Sequence, residues 1–229
     1  MRKLLLFAAV LALSGLSAAT ECVIDFADGK WNRADFWDAK SPRWDVHGSW
    51  IQQADHLVNT TVAKTDSKGR RHYYGPENYI GLVWKTPVEA PVEISSTMSF
   101  DVRMAPLLVI APELADGKDG LKEFREHWEI VLFDQGINIW HHEFKDGKPS
   151  WYLAAYMEVP FAPKERHVLT VRVQPRRGRM VLTAACGGKE FGYFDPDLPA
   201  KFHVGLTACE GPCRFYDFKV KTDIQQKKR

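Results

Sequence analysis

The 229-residue chain has little that a helical protein needs. No apolar pattern with a helical period holds for more than two turns, which excludes a bundle and leaves little room for an α/β architecture. Beyond the N-terminal stretch no apolar run is long enough to cross a bilayer as a helix. An excess of either charge is also missing, with 31 Lys and Arg against 29 Asp and Glu and a formal net charge of +2. The basic residues are dispersed apart from Lys227-Lys228-Arg229, so neither nucleic acid nor an anionic membrane is expected as a partner. Cysteine is sparse, at four residues, and no Cys-x-x-Cys pair occurs, which argues against a thiolate metal site. No internal repeat is visible.

The N-terminal stretch reads as a secretory leader. Arg2 and Lys3 precede an apolar segment over residues 4–16, and Ser17-Ala18-Ala19 is a small-residue cleavage site, so the cut is expected before Thr20. Secretion or a periplasmic location follows. Cys22 raises the question of lipid attachment, but Glu21 is not the small residue such processing requires. An exported protein with four cysteines is expected to form disulfides. Cys209 and Cys213 frame a short turn and would pair locally, leaving Cys22 for Cys186, while the crossed pairings stay open. The remaining residues suit one β-sandwich domain over 20–222, followed by a polar tail at 223–229.

Period-two alternation is the dominant signal. In VEISSTMSFDVRM, residues 92–104, Ile94, Met98, Phe100, Val102 and Met104 share one parity, and Ser95, Thr97, Ser99, Asp101 and Arg103 the other. That pattern predicts a half-buried antiparallel strand. Residues 44–51 read as a strand, turn and strand, and further strands are expected near 56–62, 79–84, 151–159, 167–174, 180–185, 189–194, 202–209 and 214–221, separated by Gly, Pro, Asn and Asp. Residues 105–124 break the pattern and read as an insertion over an edge or beside a binding face, with a short helix over 120–126. Trp31, Trp37, Trp44 and Trp50 read as edge packing of a sandwich. Asn59-Thr60-Thr61 is a formal glycosylation sequon. The loop over 64–78 carries Tyr73 and Tyr74 and suits a binding surface.

The densest chemistry lies in HWEIVLFDQGINIWHHEF, residues 127–144, which reads as a β-hairpin turning at Asp134-Gln135-Gly136. His127, Glu129, Val131 and Phe133 share one face, and Trp128, Ile130 and Leu132 the other. A three-residue turn sets Glu129 opposite His141 and His127 opposite Glu143. A two-residue turn is read as setting Glu129 against His142, next to Trp140. Either way Glu129 meets a histidine, a pairing suited to acid–base work or to holding sugar hydroxyls. Metal binding by His127, His141 and Glu129 is conceivable across adjacent strands, but no recognised motif is present, and no metal or cofactor is expected.

CVIDFADGKWNRADFW, WDVHGSWIQ, HWEIVLFDQGINIW and FHVGLTACEGPCRFYDFKV together resemble the concanavalin A-like lectin/glucanase superfamily, and more narrowly its secreted bacterial laminin-G-like domains. The resemblance implies an all-β, antiparallel two-sheet jelly-roll sandwich whose concave sheet faces a polysaccharide or oligosaccharide. The E-x-D-x-x-E signature of the superfamily's retaining glucanases is missing, since Glu129 is followed only by Asp134. The resemblance therefore implies a carbohydrate-binding module, with a glycan-cleaving hydrolase or lyase and a non-catalytic envelope module as alternatives. Glu129 and His141 are the catalytic candidates. Asn138, Trp140, His142, His127, Tyr73, Tyr74 and Arg103 are the candidate ligand contacts, Arg103 as the cation a lyase needs beside a uronate. Glu210 is expected to be structural, bonding turn backbone or pairing with Arg214.

Overall fold

The alternating segments form strands almost everywhere. The computed structural model describes residues 20–43, 47–60, 64–65, 71–72, 79–101, 106–209 and 211–222. The expected leader, Trp44, Thr61 of the sequon, Tyr73, Tyr74, Arg103, Glu210 and residues 223–229 lie outside them. The described strands are β1 (Glu21–Asp25), β2 (Phe36–Lys40), β3 (Trp50–Gln52), β4 (Leu57–Asn59), β5 (Lys64–Thr65), β6 (Arg71–His72), β7 (Ile80–Trp84), β8 (Val88–Glu89), β9 (Val92–Phe100), β10 (Pro106–Ala111), β11 (Leu114–Asp116), β12 (Lys122–Phe124), β13 (His127–Phe133), β14 (Gly136–Lys145), β15 (Lys148–Glu158), β16 (His167–Arg176), β17 (Arg179–Cys186), β18 (Lys189–Phe194), β19 (Lys201–Ala208), β20 (Cys213–Phe215) and β21 (Asp217–Thr222).

They make a nine-stranded sheet, ordered β18-β17-β16-β9-β20-β4-β3 with β21 on β9 and β1 on β21, and a ten-stranded sheet, ordered β11-β12-β2-β7-β19-β10-β13-β14-β15 with β8 on β19. The inner faces share one continuous apolar core. Ile94, Met98, Phe100, Val171, Leu182 and Phe218 come from the first sheet, and Leu82, Leu108, Ile110, Trp128, Ile130 and Leu206 from the second. Ser96 falls on the core parity of β9, and its hydroxyl donates to the Asp217 carbonyl at 2.6 Å, so the polar group is satisfied.

Three expectations change here. First, residues 106–111 are no insertion. They form β10, a central strand between β13 and β19, with both faces buried: Leu108 and Ile110 lie in the core between the sheets, and Val109 and Ala111 in a second apolar cluster on the sheet's outer side. Second, the helix read over 120–126 is absent, and Lys122–Phe124 pairs as strand β12 with β2. Third, all four thiols are free. Cys22 on β1 and Cys186 on β17 are separated by β21, β9 and β16. Four strand spacings are about 19 Å, whereas a bridge needs Cα atoms within about 7 Å. Cys209 ends on the ten-stranded sheet, while Cys213 starts β20 in the nine-stranded one.

Asn59 explains how that crossing is held without a bridge. It is buried, and its side chain donates to the Gly211 carbonyl at 3.0 Å and accepts from the Cys213 amide at 2.9 Å. An acceptor asparagine for glycosylation sits on the surface, so Asn59 is structural. Arg214 pairs with Asp101 at 2.8 Å.

Candidate functional site

Everything at the site depends on how β13 meets β14. The turn is Asp134-Gln135, and Phe133 stands opposite Gly136. Tertiary contacts fix this register. The Asp134 carbonyl accepts from the Phe161 amide at 3.0 Å, and the Gln135 carbonyl accepts from the Val159 amide at 3.1 Å. The Tyr156 hydroxyl also donates to the Gln135 carbonyl, at 3.1 Å. Glu129 therefore stands opposite Trp140, His127 opposite His142, and Trp128 opposite His141. The three-residue reading, with Glu129 opposite His141, is thus corrected. The turn is the two-residue one, which sets Trp140 directly opposite Glu129, so the expected His142 meets Glu129 diagonally on the same face.

The face of β13 and β14 turned away from the other sheet carries His127, Glu129, Val131, Phe133, Asn138, Trp140 and His142. Glu129 is the centre of a compact polar group and only 6% exposed. The Tyr79 hydroxyl donates a short hydrogen bond to its Oε1. His142 Nε2 lies 3.1 Å from Oε2, and His127 Nε2 lies 3.5 Å from Oε1. The His127 and His142 rings stack at 4.3 Å, and Phe124 stacks on the far side of His127 at 4.8 Å. One ligand atom from each of His127, Glu129 and His142 falls within 4.8 Å of the others, so these three residues form a possible metal-holding set.

Burial works to raise the Glu129 carboxyl, but the positive potential of His142 and the facing imidazole of His127 outweigh it and hold it well below the usual carboxylate range. Burial pushes the His127 pKa down. Burial and the neighbouring carboxylate push the Tyr79 phenol up. A buried apolar cluster of Ala39, Tyr79, Val83, Val109, Ala111 and Phe124 lies beside the group, with Val109 directly next to Glu129 on the adjacent strand. The group is thus on the outer face of its sheet yet almost closed to solvent.

His141 does not belong to it. The ring is fully buried and stacks on Trp128 at 4.4 Å. Its Nε2 lies 2.9 Å from Glu126, and its Nδ1 lies 2.8 Å from the Tyr152 hydroxyl and 3.0 Å from Asp195. Asp195 also accepts from Trp128 Nε1 at 3.0 Å and from Tyr193 at 2.7 Å. Because Tyr193 is on β18, this network ties one edge of the nine-stranded sheet to β13–β15. The expected Glu129–His141 catalytic pair is therefore corrected: the two side chains occupy opposite faces, and His141 is a clasp between sheets.

Of the expected ligand contacts, Asn138 and His142 are buried on the outer face and Trp140 is half-buried there. Tyr79 and Phe124 went unrecognised in the sequence, as did a row on β15. Trp151 stands opposite His142, Leu153 opposite Trp140, and Tyr156 opposite Asn138. Trp151 is 46% and Tyr156 44% exposed. A register shift between Ile139 and Trp140 lets residues of odd and even number share that face, which strict alternation cannot anticipate. Arg43, in the chain leaving β2, sets its guanidinium 3.3 Å from the Trp151 ring centre.

No family model and no curated protein matches the chain. Solved structures do. β-Agarase A from Zobellia galactanivorans aligns at a TM-score of 0.56 and 12% identity, over 89% of this chain and 92% of its own. The carbohydrate-binding module CBM66 from Bacillus subtilis aligns at 0.51 and 11%, over 77% and 94%. Winged bean acidic lectin, complexed with methyl-α-D-galactose, aligns at 0.52 and 8%, over 91% and 100%. At these identities the likeness concerns the fold. Two curled antiparallel sheets with this shared core, overlapping agarase, binding module and lectin alike, give the chain the concanavalin A-like jelly-roll fold.

Proposed function

We propose that the protein is a secreted glycan-binding module that takes a polysaccharide or oligosaccharide along β14–β15. The observation that carries this reading is the exposed row of Trp151, Leu153 and Tyr156, flanked by half-buried Trp140. Large apolar rings left open in a row on one sheet face mark a binding surface. Flat aromatic faces suit the C–H faces of a pyranose, while the Tyr156 hydroxyl and the Arg43 guanidinium offer polar contacts at its rim. Lectins and a carbohydrate-binding module among the fold neighbours support the same reading. An export leader before Thr20 suits a partner outside the cell.

Binding is favoured over hydrolysis by the carboxylates. A retaining glycosidase needs two of them about 5 Å apart across the bond. On the outer face β13 supplies Glu129 alone, followed by Val131 and Phe133, and Glu129 is buried.

A glycan array followed by affinity electrophoresis tests the proposal. Trp151→Ala and Tyr156→Ala should each weaken retention about tenfold, the worth of one aromatic contact at about 1–1.5 kcal/mol. Phe194→Ala, an exposed ring on the other sheet, should leave retention unchanged. Retention that survives both β15 substitutions, or no retained glycan at all, overturns the reading.

A further inference from the structure

The proton inventory around His127 has a gap. Its Nδ1 lies 2.6 Å from the Arg125 carbonyl oxygen, which can only accept, so Nδ1 carries a proton. Its Nε2 is buried, has no hydrogen-bond partner among the described residues, and lies 3.5 Å from Glu129 Oε1. Oε1 already accepts from Tyr79. In the neutral imidazole, Nε2 then presents a lone pair to a carboxylate oxygen, two acceptors facing each other away from water. A second proton on His127 answers this poorly. It makes a buried imidazolium, 2% exposed, between a phenyl ring and another imidazole, with no hydrogen-bond geometry to the carboxylate.

A metal cation meets both demands. With bonds of about 2.0–2.1 Å, the ligand atoms of a tetrahedral ion stand about 3.4 Å apart. The His127 Nε2 lies 3.5 Å from Oε1 and the His142 Nε2 3.1 Å from Oε2, and one ligand atom from each of the three residues lies within 4.8 Å of the others, so a small shift of the side chains closes the set on one ion. The outer contacts fit as well. A backbone carbonyl on Nδ1 is the usual partner that orients a ligating histidine, and a tyrosine hydroxyl on the carboxylate steadies the acidic ligand. Two imidazoles and one carboxylate match a borderline first-row ion. They do not match calcium, which takes six to eight oxygens.

We propose that His127, Glu129 and His142 form a binding site for one divalent first-row transition-metal ion, zinc foremost, on the outer face of the ten-stranded sheet. The residual exposure of Glu129 and His142 leaves the fourth position for water or for a ligand oxygen. The site is independent of whether β15 binds glycan, because it is read without any sugar.

The test is zinc binding by the full chain after chelator treatment and dialysis, followed by calorimetry and by bound metal per chain. One ion per chain is expected. Co²⁺ should give the intense visible bands of a tetrahedral nitrogen–oxygen site. Glu129→Gln and His142→Gln should each lower affinity at least about tenfold, whereas His56→Gln, on the other sheet, should not. If either variant fails to fold, the wild-type Co²⁺ spectrum decides alone. A folded wild type that takes up no zinc or cobalt overturns the proposal, as does one-to-one binding unchanged in both folded variants.

Discussion

Replacing Gly136 by alanine probes the register on which the site rests. Gly136 has φ +155°, a region glycine alone occupies freely. An added Cβ would lie 2.1 Å from the Met157 carbonyl oxygen and 2.9 Å from Tyr156 Cε2. The first obstacle is backbone of the paired strand and cannot rotate away. The unfavourable φ costs about 1–3 kcal/mol, and forcing the strands apart a further ~1–3 kcal/mol. At about 2–4 °C per kcal/mol for a domain this size, Tm should fall by about 10 °C. Gly147 is the internal control. It also has positive φ, at +74°, but nothing lies within 4 Å of an added Cβ, so Gly147→Ala should cost only about 1–2 kcal/mol. Thermal unfolding of both variants, followed by near-UV circular dichroism, separates the collision from the backbone term. Equal Tm values for the two would refute the argument that β15 packs against Gly136 and fixes the hairpin. Glycan retention should fall in the Gly136 variant alone, since Tyr156 is displaced with it.

The Asp195 carboxyl is held below its ordinary value of 3.8; burial opposes this, but bonds from Tyr193, the Asp197 amide and Trp128 outweigh it. The stability it contributes is present above about pH 4 and is lost as pH falls through the lower native value. Asp195→Asn should therefore melt lower than wild type at neutral pH, and the gap should narrow in acid. A gap that is constant from neutral pH to pH 3 would count against the clasp. Titration of the unfolded, unreduced protein with a thiol reagent should find all four thiols, whereas the native protein should expose chiefly half-buried Cys22 and Cys209. A titre of two or fewer in the unfolded state would show a bridge.

The β-sandwich was legible because one buried face per strand imposes a period of two, as in β9, where Val92, Ile94, Met98 and Phe100 point inward. Glu129 as the centre of a polar group was legible too, from the parity of β13. What sequence did not carry was everything set at a distance. The turn length depends on Phe161 and Val159 holding the turn carbonyls, and Tyr79 reaches Glu129 across 50 positions. The β15 row depends on a bulge with no residue signature. β10 misled for a related reason: a strand buried on both faces shows a continuous apolar run, and its outward Val109 and Ala111 are buried among residues distant in sequence, Ala39, Tyr79 and Val83.

His141 and His142 are neighbours in sequence but serve opposite sides of the sheet. One is locked into the seam between sheets and the other faces Glu129. A saturation library at these two codons should therefore split cleanly, with position 141 read out as yield of folded protein and position 142 as ligand or metal selectivity. Selection can retune one without disturbing the other.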